Sequence, residues 1–192
     1  MARLLLIRHA RSAHAGLAGR RDVPAAPLPE QDLAHARQHL AAFWGDAPPR
    51  LFSSPAQRCL QTAAALCPGI AAATDARLWE QDFGAWEGLE SAALPDLGPL
   101  SRIETAGTRP PGGESFLDLT CRATPALQDI AAGGDTLIFA HAGIIRTALG
   151  LALGDMAQAL TFEIAPFSAT LLRALPEGSW SIGFVNLSLL AP

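Results

Sequence analysis

The stretch Arg3-Leu4-Leu5-Leu6-Ile7-Arg8-His9-Ala10-Arg11-Ser12 carries four consecutive large aliphatics that stop at an Arg-His pair. Four apolar side chains in a row leave no polar face for water, so the run predicts a strand buried on both sides. Such strands belong to mainly parallel sheets with helices on either face, a three-layer α/β/α sandwich. Ligands of these sheets bind just outside the carboxyl ends of the strands. Arg8, His9 and Arg11 therefore fall where a ligand sits. Through Arg21 the chain has five arginines and no acid, against a net charge of −4 overall. That local excess selects an anion.

A chain of 192 residues suits one domain, here with a short insertion at about 90–113. All fourteen basic residues are arginine. A P-loop, a protein kinase and a Schiff-base enzyme each need a lysine, so those classes are excluded and Asp82-Phe83-Gly84 is a kinase decoy. The acidic balance and the absence of a long basic helix argue against nucleic acid as a partner. No apolar run is long enough to span a bilayer, and the N-terminus enters a strand without a signal-peptide cleavage region. Cys59, Cys67 and Cys121 form no C-x-x-C pair. None has an arginine six residues later, so a cysteine-phosphatase loop is absent. Reduced thiols in a cytoplasmic protein are expected.

Along the chain, Ala10–Pro29 lacks a period and predicts a loop over the site. Pro29-Glu30-Gln31-Asp32 opens a helix with Leu33, Ala36, Leu40 and Phe43 on one face. His35 and His39 stand four apart on it, a zinc-compatible spacing with no third ligand, and a solvated face is expected. Leu51–Ser53 predicts a short strand, and Ser54-Pro55-Ala56-Gln57 a capping box that opens a helix. Arg58 then falls in its first turn, beside free N–H groups that suit an anion. Ile70–Thr74 predicts a third strand. Glu90–Gly113, rich in proline and glycine, is expected to be an irregular cover over the site. Ser115 starts a helix running to Ala132, which Pro125 should kink. Thr136–Ala140 is a second fully buried strand, and His141 stands at its end as His9 does on the first. A helix over Gly143–Leu153 and a hairpin of Ser168–Leu175 with Trp180–Leu187 complete the chain.

Several of these stretches form an ordered set: Leu6-Ile7-Arg8-His9-Ala10-Arg11-Ser12, Ser54-Pro55-Ala56-Gln57-Arg58-Cys59-Leu60-Gln61-Thr62-Ala63, Leu78-Trp79-Glu80-Gln81-Asp82-Phe83-Gly84-Ala85-Trp86-Glu87-Gly88, Pro110-Pro111-Gly112-Gly113-Glu114-Ser115 and His141-Ala142-Gly143-Ile144-Ile145-Arg146. The set resembles the histidine phosphatase superfamily, which includes the phosphoglycerate mutases, and its α-ribazole phosphatase and broad-specificity branches look most similar. The resemblance implies a phosphoglycerate mutase-like fold and phosphomonoester hydrolysis through a phosphohistidine, with neither metal nor cofactor. Ala10 replaces the family's glycine, Arg11 a frequent acid, Ala15 a frequent asparagine and Ala142 a common glycine. These departures bear on affinity and substrate shape.

The residue types suit the chemistry. Phosphoryl transfer needs positioning and charge neutralisation above all. Arg8 and Arg58 can each chelate phosphoryl oxygens in a fork, and a protonated His141 can donate to a third. His9 attacks through a neutral ring, and a bond from its Nδ1 to a backbone carbonyl would leave Nε2 as the nucleophile. Glu80 protonates the leaving oxygen and later activates water, with Asp82 as its rival. Ser12 and Ala142 are expected to help hold phosphate. Arg11, His14, Arg20, Arg21, Asp82 and Trp86 are candidate substrate contacts, and Trp79 or Trp86 offers a ring on which a flat base can stack. A metal reading would gather His9, His141, Glu80 and Asp82 around a divalent ion, which the adjacent arginines would repel. The expected partner is a small phosphorylated metabolite, with α-ribazole 5′-phosphate as the named candidate, bound by a monomer or homodimer. Phosphoglycerate mutation and inactive phospho-ligand binding are the alternatives.

Overall fold

The computed structural model describes residues 1–44 and 50–192. In chain order its elements are β1 (Ala2–Arg8), α1 (Glu30–Trp44), β2 (Arg50–Ser53), α2 (Gln57–Leu66), β3 (Ala73–Thr74), α3 (Arg102–Gly107), α4 (Phe116–Ala132), β4 (Thr136–Ala140), α5 (Ala142–Leu153), β5 (Ser168–Ala174) and β6 (Trp180–Ser188), with short 3₁₀ turns between some of them. The strands form one sheet in the order β3-β2-β4-β1-β5-β6. β1, β2, β3 and β4 are parallel, and only β5 runs against the rest. This is the mixed α/β, mainly parallel sheet that the aliphatic runs predict.

β1 shows why the sheet is covered on both faces. Successive strand side chains point to opposite sides. Leu4 and Leu6 enter the cluster built with α4 and α5, while Leu5 and Ile7 enter the one built with α1 and α2. All four are at most 2 % exposed, which contributes an upper bound of about 1.5–3 kcal/mol each. Every residue of β4 is buried as well.

The chain leaving β1 passes to β2 on one side, and the chain leaving β4 passes to β5 on the other. The carboxyl ends of these two neighbours thus form the switch point where open α/β sheets bind ligands. Their register pairs Ile7 with Phe139 and Arg8 with Ala140, and the His9 N–H donates to the Ala140 carbonyl at 3.0 Å. The next residues, His9 and His141, are brought together with ring centroids 5.1 Å apart.

Four local expectations are corrected. Ser54 does not cap α2. Its hydroxyl lies 2.8 Å from His141 Nε2, and the helix starts instead at Gln57, whose N–H donates to Asp22 Oδ1 at 2.8 Å. The third strand shrinks to Ala73–Thr74 because the edge position leaves Ile70 exposed. α4 continues through Pro125 as one helix, with the proline on its exposed face. The 90–113 insertion is not irregular throughout. A reciprocal Ser101–Glu104 capping box starts α3, and the buried Ala106 draws it into the α4 cluster.

Candidate active site

His9 ends β1 and is 6 % exposed. Its Nδ1 lies 2.6 Å from the Ala10 carbonyl. A carbonyl only accepts, so Nδ1 carries the proton and Nε2 keeps its lone pair. Burial pushes the ring's pKa down to about 3, with Arg58 and Arg8 adding to that fall and the Ala10 carbonyl opposing it. The imidazole is therefore neutral at physiological pH. Ala10 donates its own N–H to Thr62 Oγ1 at 3.0 Å and is buried in the α1–α2 cluster. Its methyl group is accommodated there.

A cavity of about 280 Å³ opens beside His9, with Arg8, Ser12, Glu80, Ala142 and Arg146 on its wall and Leu17 and Phe83 at its apolar side. Arg8, His9 and Ser12 also face an adjoining hollow of about 450 Å³, together with Arg11, His14 and Ala15. A 470 Å³ hollow at the opposite end of the sheet, near Ala2 and Trp180, has no charged side chain in its lining. It carries no comparable chemistry.

Glu80 is fixed twice. The N–H of Gly143, in the first turn of α5, donates to Oε2 at 3.2 Å, and the Gln81 N–H donates to Oε1 at 3.0 Å. A Cβ on Gly143 would lie 2.3 Å from Glu80 Oε1, so only glycine lets the carboxylate approach this helix. Behind it, Arg122 donates to the carbonyls of Arg77, Trp79 and Glu80 while pairing with Glu114 at 2.6 Å. Arg8 donates to the Ile164 carbonyl and leaves its buried Nε without a partner among the described residues. Burial lowers its pKa, Arg146, Arg58 and Arg11 add to that, and Glu80 opposes it.

Two expected phosphate ligands stand behind this wall. Arg58 lies in the first turn of α2, as its spacing predicts, but it is fully buried. Its Nη atoms donate to the carbonyls of Ala18, Gly19 and Arg21 at 2.6, 2.8 and 3.0 Å, and its Nε donates to His9 Nε2 at 3.3 Å. It holds the loop over His9, and a phosphate would compete with those carbonyls for the same donors. His141 is also fully buried. Arg58 Nη2 points at its Nδ1 across 3.2 Å, which leaves the Nε2 proton for Ser54. Burial holds its pKa well below the ordinary value, with His9, Arg58 and Arg8 adding to the fall. Burial thus opposes the protonated form in which His141 is expected to donate to a third phosphoryl oxygen.

The outer candidates separate. Arg11 and His14 are exposed and line the adjoining hollow. Arg20 lies over the Trp79 ring, 5.8 Å from its centroid, and reaches Glu114. Arg21 is exposed and serves through its backbone. The Asp82 carboxylate accepts the Gly84 N–H at 2.8 Å, so a local turn absorbs it. Trp86 is half-buried and absent from both linings, and Trp79 lies parallel to His141 at 6.4 Å. The 90–113 insertion lends no residue to either hollow, because α3 is seated on α4. Arg122, which braces the Glu80 segment, and Arg146, which lines the cavity, are side chains that motif reasoning passes over. Only Arg146 had a visible signal, its position four residues after Ala142 on the helix leaving His141.

No group of three or more His, Cys, Asp or Glu side chains among the described residues is placed to hold a metal ion. His35 and His39 lie tilted against each other, with ring centroids 4.4 Å apart. No helix among these residues is long and apolar enough to cross a membrane.

The switch-point site, with a neutral histidine, a fixed carboxylate and converging arginines, is that of a phosphoryl-transfer domain. The profile of the histidine phosphatase superfamily (branch 1) matches residues 4–187, and the chain belongs to that family. Among its relatives is the bifunctional protein Rv2228c of Mycobacterium tuberculosis, 32 % identical over 96 % of this chain and 53 % of that protein. The chain thus spans about half the length of the first curated relatives it matches. The glucosyl-3-phosphoglycerate phosphatase of M. tuberculosis is 30 % identical, over 93 % of this chain and 83 % of that one. The native structure of mycobacterial glucosyl-3-phosphoglycerate phosphatase superposes with a TM-score of 0.82 at 26 % identity, covering 98 % of this chain and 100 % of that chain.

Proposed function

We propose that the chain hydrolyses phosphate monoesters without a metal, through a phosphohistidine at His9. The observation that carries this reading is the Nδ1 contact with Ala10, which leaves Nε2 as a neutral nucleophile in a cavity shared with Arg8 and Glu80. In the first step Nε2 forms a bond to phosphorus as the ester P–O bond breaks. The electron pair leaves on the alcohol oxygen, which takes a proton from Glu80. The Nδ1–H bond to Ala10 offsets the positive charge the ring acquires. In the second step Glu80 takes a proton from water, its oxygen attacks phosphorus, and the N–P bond breaks to release phosphate. Arg8 neutralises the phosphoryl oxygens, and Ser12, with its hydroxyl, and Ala142 complete the wall around them. Arg58 and His141 set the position and field of His9 from behind.

The substrate is proposed more coarsely. Relatives of about 30 % identity are named glucosyl-3-phosphoglycerate phosphatases, which favours a phosphoglycerate-type ester. The stacking that would favour α-ribazole 5′-phosphate has no counterpart, since neither Trp79 nor Trp86 lines the hollows. The free thiols of Cys59, Cys67 and Cys121 suit a cytoplasmic setting.

Rapid quenching with a labelled substrate tests the mechanism. An acid-labile, base-stable phosphoprotein is expected, absent from His9→Ala, whose turnover falls by about 10⁴-fold or more as for other lost nucleophiles. Chelator should leave the rate intact. Unchanged turnover in His9→Ala would overturn the proposal. Comparing kcat/KM for glucosyl-3-phosphoglycerate, α-ribazole 5′-phosphate and simple sugar phosphates ranks the substrates. Phosphate moved between glycerate carbons would instead identify a mutase.

A further inference from the structure

Arg146 faces the cavity with the end of its guanidinium uncommitted. It stands four residues after Ala142 on α5, so both lie on one side of the helix, and both line the cavity. Its Nε donates to the Phe162 carbonyl at 3.0 Å. Arg8 donates to the Ile164 carbonyl, two residues along the same connecting segment. One stretch of backbone therefore holds two guanidinium groups on the wall of a single cavity. Neither forms an ion pair among the described residues. Burial lowers the pKa of Arg146, with Glu80 and the exposed Glu163 opposing. Glu80 is the only carboxylate in the lining, and Gly143 and Gln81 already occupy its oxygens. The cavity thus has a surplus of positive charge beyond what one carboxylate offsets.

Chemistry decides what that surplus receives. If Arg8 neutralises the phosphoryl group, the leaving oxygen must lie within reach of Glu80, its proton donor. The alcohol then extends along the wall that Glu80 shares with Arg146 and Phe83. Phe83 covers carbon, and Arg146 offers two parallel N–H donors, the fork that matches a carboxylate. We propose that Arg146 is a specificity-determining residue that receives a carboxylate carried by the leaving alcohol, so that the site prefers phosphate esters of hydroxy acids. The assignment rests on the phosphatase function proposed above and adds to it the residue that reads the acidic group of the leaving alcohol.

The test compares 3-phosphoglycerate with glycerol phosphate, which has a neutral hydroxymethyl group in place of the carboxylate. Arg146→Gln should lower kcat/KM for 3-phosphoglycerate by about 10–100-fold, the size of a charge-assisted bond. Its loss on glycerol phosphate should be at least about tenfold smaller. Arg146→Lys, which keeps the charge but not the fork, should fall between. It also guards against a Gln variant that misfolds, for which melting curves of both are recorded. Equal losses on the two esters would mean that Arg146 holds the phosphoryl group, and no loss would mean that it holds nothing. Either result overturns the proposal. Calorimetric binding of both ligands to His9→Ala, with and without Arg146→Gln, reads the same preference without turnover. A wild type that cleaves 4-nitrophenyl phosphate but binds both ligands alike refutes only the Arg146 assignment. One that cleaves no phosphate ester yet binds 3-phosphoglycerate preferentially, through Arg146, refutes only the phosphatase reading.

Discussion

The floor of the site and its roof are built from different interactions. The floor is the pair of strand ends that present His9 and His141, where the flanking residues of β1 and β4 are packed in the core. The roof is the segment 16–21, in which only Gly19 is buried. Polar bonds hold that segment in place. Arg58 donates upward to three of its carbonyls. From the side, Glu87 accepts the N–H groups of Arg20 and Arg21 at 2.5 Å each. Leu17 completes the seam by exchanging backbone bonds with Gly88 and Leu89. A Cβ on Gly19 would lie 2.0 Å from the Gln81 carbonyl, so roof and side wall approach closely. The floor is placed by burial of apolar area, which tolerates no gap. The roof is placed by a few charge-assisted bonds, which can release it at little cost to the core.

The largest effect is expected in chemistry that spans both regions. Glu80→Gln should slow alkyl phosphates by about 10²–10⁴-fold, the usual scale of general-acid catalysis, and affect 4-nitrophenyl phosphate far less because its phenolate leaves without a proton. Asp82→Asn should not reproduce that selectivity, since its carboxylate serves the Gly84 turn. A selective loss in Asp82→Asn would move the proton donor off the wall described here.

The floor is next. Leu6 is fully buried in the cluster built with α4 and α5. Leu6→Ala should cost about 2–5 kcal/mol in urea unfolding. A cost below about 1 kcal/mol would show that packing does not set the strand ends.

Acid should act on the floor as well. His9 and His141 are both held neutral by burial, with folded pKa values below the ordinary histidine value. Between about pH 6.5, where an unfolded histidine gains its proton, and about pH 3, where folded His9 does, the unfolded chain binds more protons. Stability should therefore fall as pH drops through that window. The nucleophile itself should stay unprotonated over most of it. A melting temperature independent of pH there would contradict the burial of both rings.

What could be read before the structure divides along the same line. Strand runs, helix faces and the placing of His9 and His141 at strand ends follow from periodicity, because burial repeats every second or every third to fourth residue. The hairpin of β5 and β6 announced itself through Pro176-Glu177-Gly178-Ser179. The roof left no such trace. Asp22 caps α2 from 35 residues away, Ser54 bonds a histidine 87 residues on, and Arg58 meets carbonyls of a loop without a period. Bonds from a side chain to a distant backbone depend on the path of a loop, which spacing does not encode. Spacing therefore places Arg58 on its helix but carries no sign of the loop carbonyls that its guanidinium meets.

The smallest expected change isolates the roof. Glu87 uses both carboxylate oxygens: Oε1 accepts from Arg20 and, at 3.3 Å, from Phe83, and Oε2 accepts from Arg21. In Glu87→Gln one acceptor becomes an amide that faces an N–H, so one of the two short bonds is lost and replaced by a repulsion. Arg21 also supplies a carbonyl to Arg58, whose Nε touches His9, so a loosened loop frees the guanidinium that positions the nucleophile. A fall in kcat of about tenfold is expected, the worth of part of a charge-assisted bond, with unfolding free energy changed by less than about 1 kcal/mol because little apolar area moves. Steady-state kinetics beside urea unfolding separates the two quantities. Glu87→Gln that destabilised the fold as much as Leu6→Ala, with kcat unchanged, would make the roof another piece of core and remove its link to His9.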